Sequence, residues 1–349
     1  MTTPVNLPVI DLAASFGHDV QAQRDTAALI DAACREHGFF QVRGHGVPLA
    51  LLSHLFMLSR RFFQLPERVK HQWHVAQTGL NRGYDPIGWQ SLEAGRPADL
   101  KESFYLGVDR DADDPLVRAG IPLQGPNQWP DEALVPGFQA TSEAFAASMQ
   151  RLARHLMGLI ALGLKLPRTH FEPCLRDPMP VLRLLHYPPQ PSRPEPGQIG
   201  CGAHTDWGAL TLLAQDKTGG LQVQDGQGQW LDVMPVDGAL VVNLGDLMSR
   251  WTNDRYRSTL HRVVHADSSR DRYSIAYFFE VDHDTVVTPL PGCHSAEDPP
   301  HHPPITAGEH IAQMYARTTL ATPVENAFDA ATMAAVAAAR TPGRPGLAL

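Results

Sequence analysis

Cysteine is scarce in this 349-residue sequence: there are four, Cys34, Cys174, Cys201 and Cys293, far apart and never as Cys-x-x-Cys. That excludes a disulfide scaffold and a cysteine-based zinc ribbon, and it suits a reducing cytoplasm. Positive charge is also in deficit. Lys plus Arg number 29 against 37 Asp plus Glu, a formal net charge of −8. An acidic chain without basic runs is not built to hold nucleic acid. No apolar run approaches the ~18 residues of a membrane span, so no membrane partner is expected. The opening stretch MTTPVNLPVIDL has neither the basic nor the apolar region of a signal peptide, and cytoplasmic residence is the expectation. What is present is ample core material, 43% hydrophobic residues against 19% charged. Two residue types are abundant. Thirty prolines point to many turns, and 17 histidines invite a metal reading that has to be tested by context.

The first half of the chain alternates helix and strand patterns. Leu7–Leu12 reads as a strand and Val20–His37 as a helix with Ala27, Ile30, Ala33 and Cys34 at helical spacing, ended by Gly38. Phe39–Val42 reads as a strand and Leu49–Phe63 as a second helix. Residues 78–97, rich in Gly, Pro and Arg, read as loop, and Lys101–Val108 as a strand. A long helix pattern runs from Phe138 to Leu166 and stops at Pro167. From Val181 the texture changes to short strands separated by turns: Val181–Tyr187, Ala209–Gln215, Leu221–Gln224, Trp230–Met234, Ala239–Leu244, Thr259–His265, Arg272–Glu280 and Thr285–Thr288. Such spacing predicts a sandwich, jelly roll or barrel. Helix patterns follow at Ala307–Arg317 and Asn326–Arg340. The expectation is one α+β domain in four segments: 1–120, 121–180 with the long helix, a β-core over 181–300, and a helical tail over 301–349.

Two His-x-Asp triplets stand out, His204-Thr205-Asp206 and His265-Ala266-Asp267. On an extended chain residues i and i+2 share a side, so His204 and Asp206 can offer an imidazole and a carboxylate to one ion. Two histidines and a carboxylate on one face of an octahedral metal leave three positions open, the arrangement of non-haem Fe(II) oxygenases. A third ligand is available in His261, 55 positions after Asp206 in a strand-like run. Eleven positions beyond His261 comes Arg272-Tyr273-Ser274, the one Arg-x-Ser of the sequence. Arg272 and Ser274 share a face, and a guanidinium fork beside a hydroxyl is a receptor for a carboxylate. The second triplet has no comparable sequel and reads as a strand end and turn.

The series His204-x-Asp206, His261, Arg272-x-Ser274 resembles the Fe(II)- and 2-oxoglutarate-dependent dioxygenases, specifically their isopenicillin N synthase-like branch. Leu7–Asp11, Gly38–Val42, His45-Gly46-Val47 and Leu182–Pro189 add to the likeness. The resemblance implies a jelly-roll (double-stranded β-helix, cupin-like) core with N-terminal helices and a C-terminal helical segment. It implies Fe(II) on His204, Asp206 and His261, and 2-oxoglutarate held by Arg272 and Ser274 with Tyr187 nearby. It further implies O2 as co-reactant, ascorbate as an added reductant, and decarboxylation to succinate and CO2 coupled to oxidation of a small metabolite. Plant members often carry Asn two residues before the tyrosine; here that position is Leu185.

Within the branch the thymine dioxygenases look most similar, through Asn81–Tyr84, Leu182–Pro188, Gly219–Val223 and Arg272–Phe278. By position, Asn81, Arg183, Trp207 and Phe278 match their nucleobase pocket. Trp207 replaces the usual tyrosine, so pocket shape should differ. Arg183 reads equally as a substrate anchor or a structural ion pair, and Asn81 as a lid residue or a turn former. Four alternatives stay open at this point: an oxidase with the same triad that uses no 2-oxoglutarate, an ethylene-forming type of enzyme, a zinc hydrolase on the same ligands, and a non-catalytic β-sandwich binding protein in which these residues are structural. Substrate identity and oligomeric state are not fixed by the sequence.

Overall fold

The computed structural model describes residues 4, 5, 7–93, 95–190, 195–265, 267 and 269–318. The Asn326–Arg340 helix pattern lies outside the described residues. Among those described, three main helices precede the β-core: α1 (Val20–Glu36), α2 (Leu49–Phe63) and, after single turns α3 (Glu67–Lys70) and α4 (Pro115–Arg118), α5 (Phe138–Gly163). The Asp19 carboxylate caps α1 by accepting from the amides of Gln21 and Ala22. Gly38 ends the turn after it at φ +67°, where a Cβ would meet the Arg257 carbonyl oxygen at 2.2 Å. Only glycine fits such a position.

The strands form two facing sheets. The larger has eight, in the order β2 (Val9–Asp11), β3 (Phe39–Arg43), β11 (Leu240–Leu244), β8 (Leu210–Gln215), β13 (Arg272–Phe279), β6 (Val181–Tyr187), β5 (Glu102–Leu106) and β4 (Gly83–Asp85). The smaller has five: β1 (Pro4–Val5), β10 (Trp230–Val233), β9 (Leu221–Gln224), β12 (His261–Val263) and β7 (Cys201–His204). A two-stranded ribbon, β14 (Val286–Val287) with β15 (Ile305–Thr306), leads into α7 (Ala307–Thr318), and the short α6 (Asp246–Trp251) follows β11.

Side-chain alternation along the central strands divides the core in two. Tyr273, Ile275, Tyr277 and Phe279 of β13, with Leu182 and Leu184 of β6, face α1, α2 and α5 in one cluster. Ala276 and Phe278, with Leu185 and Tyr187, face Cys201, Val223 and Val263 of the smaller sheet in another. A one-residue slip would exchange these faces, so the register of β13 against β6, with Arg272 opposite Tyr187 and Ser274 opposite Leu185, is fixed by both cores. This is an α+β jelly roll with helices at both ends.

Most sequence-predicted elements agree with the structure to within three residues. Several differ. Thr259–His265 shortens by two residues at each end to His261–Val263, with single backbone bonds from Gln224 to Leu260 and from Val264 to Gly220 flanking it. β4 lies inside the stretch read as loop, a three-residue strand that opens on a glycine. β7 and the one- and two-turn helices α3, α4 and α6 were too short to carry a period.

We propose that the segments 1–120, 121–180 and 181–300 fold as one cooperative unit, since β2–β5 share one sheet with β6, β8, β11 and β13 and α5 packs against β8 and β13. Differential scanning calorimetry of the apoprotein should show a single two-state transition. Two resolved transitions would count against the proposal.

Candidate active site

His204 ends β7 and His261 begins β12, and the antiparallel register sets them directly opposite one another. Asp206 follows two residues after His204 and turns back toward both rings. One ligating atom from each of the three lies within 4.8 Å of the others, the one such group of three or more His, Cys, Asp or Glu among the described residues. The neighbours decide which atoms face inward. His204 Nδ1 is paired with the Gly202 carbonyl at 2.8 Å and His261 Nδ1 with the Thr259 carbonyl at 3.1 Å. Each histidine therefore turns Nε2 to the centre, 3.8 and 3.7 Å from Asp206 Oδ1. Asn243 Nδ2 donates to Asp206 Oδ2 at 2.6 Å, which leaves Oδ1 as the free oxygen. Such outer partners fix the tautomer and orientation of metal ligands.

The electrostatics match. Burial, then repulsion from His204, brings the His261 pKa down to about 4. Burial likewise lowers that of His204. Burial alone would raise the Asp206 carboxyl, but His261, His204 and hydrogen bonds from Asn243 and Thr211 outweigh it and carry it below the usual range. Two neutral imidazoles and one carboxylate, each with one unclaimed donor atom, are the set that Fe(II) takes in a facial triad. The second triplet is occupied elsewhere: His265 Nε2 pairs with the Pro188 carbonyl, and exposed Asp267 accepts from Ser269.

Arg272 is 2% exposed yet pairs with no carboxylate among the described residues. Its Nε donates to the Gly219 carbonyl at 2.6 Å, and its terminal nitrogens reach Ser274 Oγ and Gln215 Oε1 at 3.3 Å each. The guanidinium lies over the Tyr187 ring, 4.8 Å from its centroid. A buried cation without a counter-ion is costly. Here it sits on the inner face of the larger sheet, which faces the smaller sheet carrying the two histidines.

An open chamber of about 820 Å³, counting its mouth, adjoins the triad. Arg183, Trp207 and Phe278 line it with His204 and Asp206. Arg183 is at once wall and structural ion pair: Nη2 donates to Asp85 at 2.9 Å and to Ser103 and Gln90, and the guanidinium stacks over Tyr105. Trp207 meets Tyr315 edge-on at 5.0 Å. Asn81, at φ +50°, lines a smaller cleft that shares Gln90, Tyr105 and Tyr315 with the chamber, while the next residue, Arg82, lines the chamber itself.

Sequence reasoning missed several wall residues. Ile311 and Tyr315, four apart on one face of α7, close one side of the chamber. The helix was legible, but no local signal said where it packs. Gln90 and Tyr105 come from the N-terminal half. Glu280 was findable, since it continues the alternation Arg272, Ser274, Phe278.

Comparison with known proteins agrees. Residues 178–281 match the 2OG-Fe(II) oxygenase superfamily, and residues 7–132 match the family described as non-haem dioxygenase in morphine synthesis N-terminal. A 2-oxoglutarate-Fe(II) type oxidoreductase of Emericella nidulans is 41% identical over 317 residues, 89% of this chain and 90% of that one. Clavatol oxidase of Penicillium crustosum is 39% identical over 300 residues, 81% of this chain and 88% of its own. The solved structure of the Neurospora crassa thymine 7-hydroxylase with alpha-KG and thymine superposes with a TM-score of 0.78 at 32% identity, covering 89% of this chain and 97% of that one. Fold, site and relatives together define a non-haem iron oxygenase. The chain belongs to the 2OG-Fe(II) oxygenase superfamily: it is an oxidoreductase that uses Fe(II), 2-oxoglutarate and O2. The zinc-hydrolase alternative is thereby set aside. No helix among the described residues is long and apolar enough to cross a membrane.

With Fe(II) on the donor set proposed below, Asn243→Ala frees Asp206 to rotate. Fe(II) affinity, read by anaerobic titration, should fall about 10–100-fold with the fold intact by circular dichroism. Unchanged affinity would mean that Asn243 does not orient the carboxylate.

Proposed function

We propose that the protein couples decarboxylation of 2-oxoglutarate, to succinate and CO2, with oxidation of a small polar metabolite, hydroxylation being the expected outcome. His204, Asp206 and His261 are assigned to the iron. Arg272 and Ser274 are assigned to the distal carboxylate of 2-oxoglutarate, with Tyr187 beside them, and Arg183, Trp207 and Phe278 to the prime substrate. Asn81 is kept as an edge residue reached only through the neighbouring cleft. The observation that carries this reading is the buried Arg272 guanidinium, which among the described residues has a hydroxyl, a backbone carbonyl and the Gln215 amide oxygen but no anion for company. A dicarboxylate reaching from the triad would supply that anion. Bound iron would supply activation of O2; the chain supplies the geometry around it.

His204 and His261 present Nε2 because their Nδ1 atoms are engaged with backbone carbonyls. Asp206 presents one oxygen because Asn243 holds the other. Arg272 would donate charge-assisted hydrogen bonds to the cosubstrate, with Tyr187 packed beneath it. Trp207 and Phe278 supply flat apolar walls that exclude water, and Trp207 is fixed near the metal by its bond to Asp206. Thymine bound by the Neurospora relative supports a small, partly planar substrate, while Trp207 in place of tyrosine argues that the substrate need not be thymine. Oxidase chemistry without 2-oxoglutarate would leave the buried Arg272 guanidinium without an anion. The four cysteines, all free and buried, support residence in the cytoplasm.

Iron content after anaerobic loading should collapse in His204→Ala and His261→Ala and persist in His265→Ala. The reverse pattern would overturn the triad. Losing one partner of a buried charged pair costs ~3–5 kcal/mol. Arg272→Ala should therefore raise the apparent KM for 2-oxoglutarate about a hundredfold or more. Ser274→Ala should cost about 1–3 kcal/mol. A normal KM in Arg272→Ala would move the cosubstrate elsewhere.

A further inference from the structure

Glu280 directly follows β13 and continues its inner-face alternation beyond Arg272, Ser274, Ala276 and Phe278. It lines the chamber together with Asp206, Trp207 and Phe278, and is 6% exposed. No Lys, Arg or His among the described residues pairs with it. Its Oε2 is wholly buried and has no hydrogen-bond partner. The carboxyl rests on the backbone at Gly208, where an added Cβ would meet Oε1 and Oε2 at 2.2 Å each. The chain thus keeps a residue without a side chain two positions after Asp206, and a carboxyl fills the space.

An orphaned buried carboxyl costs free energy whichever way it is protonated. Such a group is at home only where something else completes its hydrogen bonds. The same chamber holds an orphan of opposite sense. Arg82 also lines it, is 4% exposed, and has an Nε–H without a partner. Its terminal nitrogens are spent on the backbone carbonyls of Leu80, Asn81 and Leu123. The chamber therefore has one unmet acceptor near the triad and one unmet donor.

We propose that Glu280 is the specificity-determining residue of this oxygenase, accepting a hydrogen bond from an N–H of the prime substrate and selecting small molecules that carry one. The shared chemistry is the N–H donor, whether a neutral amide or a protonated ring amine. The proposal rests on the reading of this chamber as the prime-substrate site beside the iron, and deepens it. Placed by Glu280, the substrate would lie against Trp207 and Phe278 with a neighbouring carbon toward the triad.

The test uses the full chain with Fe(II) and 2-oxoglutarate and three matched probe pairs. These are 2-piperidone with N-methyl-2-piperidone, glutarimide with N-methylglutarimide, and piperidinium with N,N-dimethylpiperidinium. The readout is the ratio of probe-stimulated succinate release between the N–H and the N-methyl member of each pair, an internal ratio that is independent of overall rate. In the parent protein at least one pair should favour the N–H member about 10-fold or more. A preference confined to the first two pairs assigns a neutral amide; one confined to the third assigns an ammonium. In Glu280→Leu the ratio should drop to about one, chiefly through KM, and in Glu280→Gln, which keeps an acceptor oxygen, it should be largely restored. The weak visible band of the anaerobic Fe(II)–2-oxoglutarate complex reports separately on the loaded centre. A parent ratio near one for every pair, or an undiminished ratio in Glu280→Leu, with that band present, overturns the role of Glu280 alone. Absence of the band in the parent protein overturns the underlying reading as well. Should Glu280→Leu fail to fold, Glu280→Gln and Glu280→Met carry the same comparison.

Discussion

The pairing of His261 with His204 across two short strands is the constraint on which the rest of the site depends. The residues are far apart in sequence, and neither strand has more than four residues. What fixes the pair is the flanking ladder. β12 also pairs with β9, with His261 opposite Val223, so its position is set from both sides. A slip of one residue would turn His261 away from Asp206. The Nδ1 contacts to backbone carbonyls then select which nitrogen is offered, so strand register and imidazole tautomer are set by the same segments.

Around that centre the protein keeps charge in two distinct conditions. Most buried charges are answered within the chain. Lys70 and Tyr84 both bond to Glu102, which also binds His186, and Lys101 pairs with Asp99. Asp99 in turn accepts from the Gly202 amide on the strand that carries His204. These pairs bind the N-terminal segments to the jelly roll and hold its inner strands. Arg272 and Glu280, at opposite ends of the same face of β13, are left without such answers. That contrast supports the two proposals, a cosubstrate carboxylate for Arg272 and a substrate N–H for Glu280, both on one strand.

Much of this was legible in the residues. The i, i+2 relation of His204 and Asp206 and of Arg272 and Ser274 follows from strand geometry alone. The helices α1, α2 and α5 follow from their apolar spacing. Less legible were elements too short for a period, such as β4 and β7, and anything that depends on distant segments meeting. The Asn243 contact with Asp206 joins positions 37 apart, and nothing local to either announces it. Asn81 and Arg82 show another limit. They are adjacent, yet Arg82 lines the chamber and Asn81 the smaller cleft beside it.

The chamber wall contributed by Ile311 and Tyr315 has a consequence for synthesis. The ribosome makes His204, Asp206 and His261 first, Arg272 and Ser274 soon after, and α7 later still. The residues proposed for iron and cosubstrate are thus synthesised before the wall that α7 adds to the chamber. A chain that ended before α7 would lack the Ile311 and Tyr315 wall, leaving that side of the chamber open to solvent.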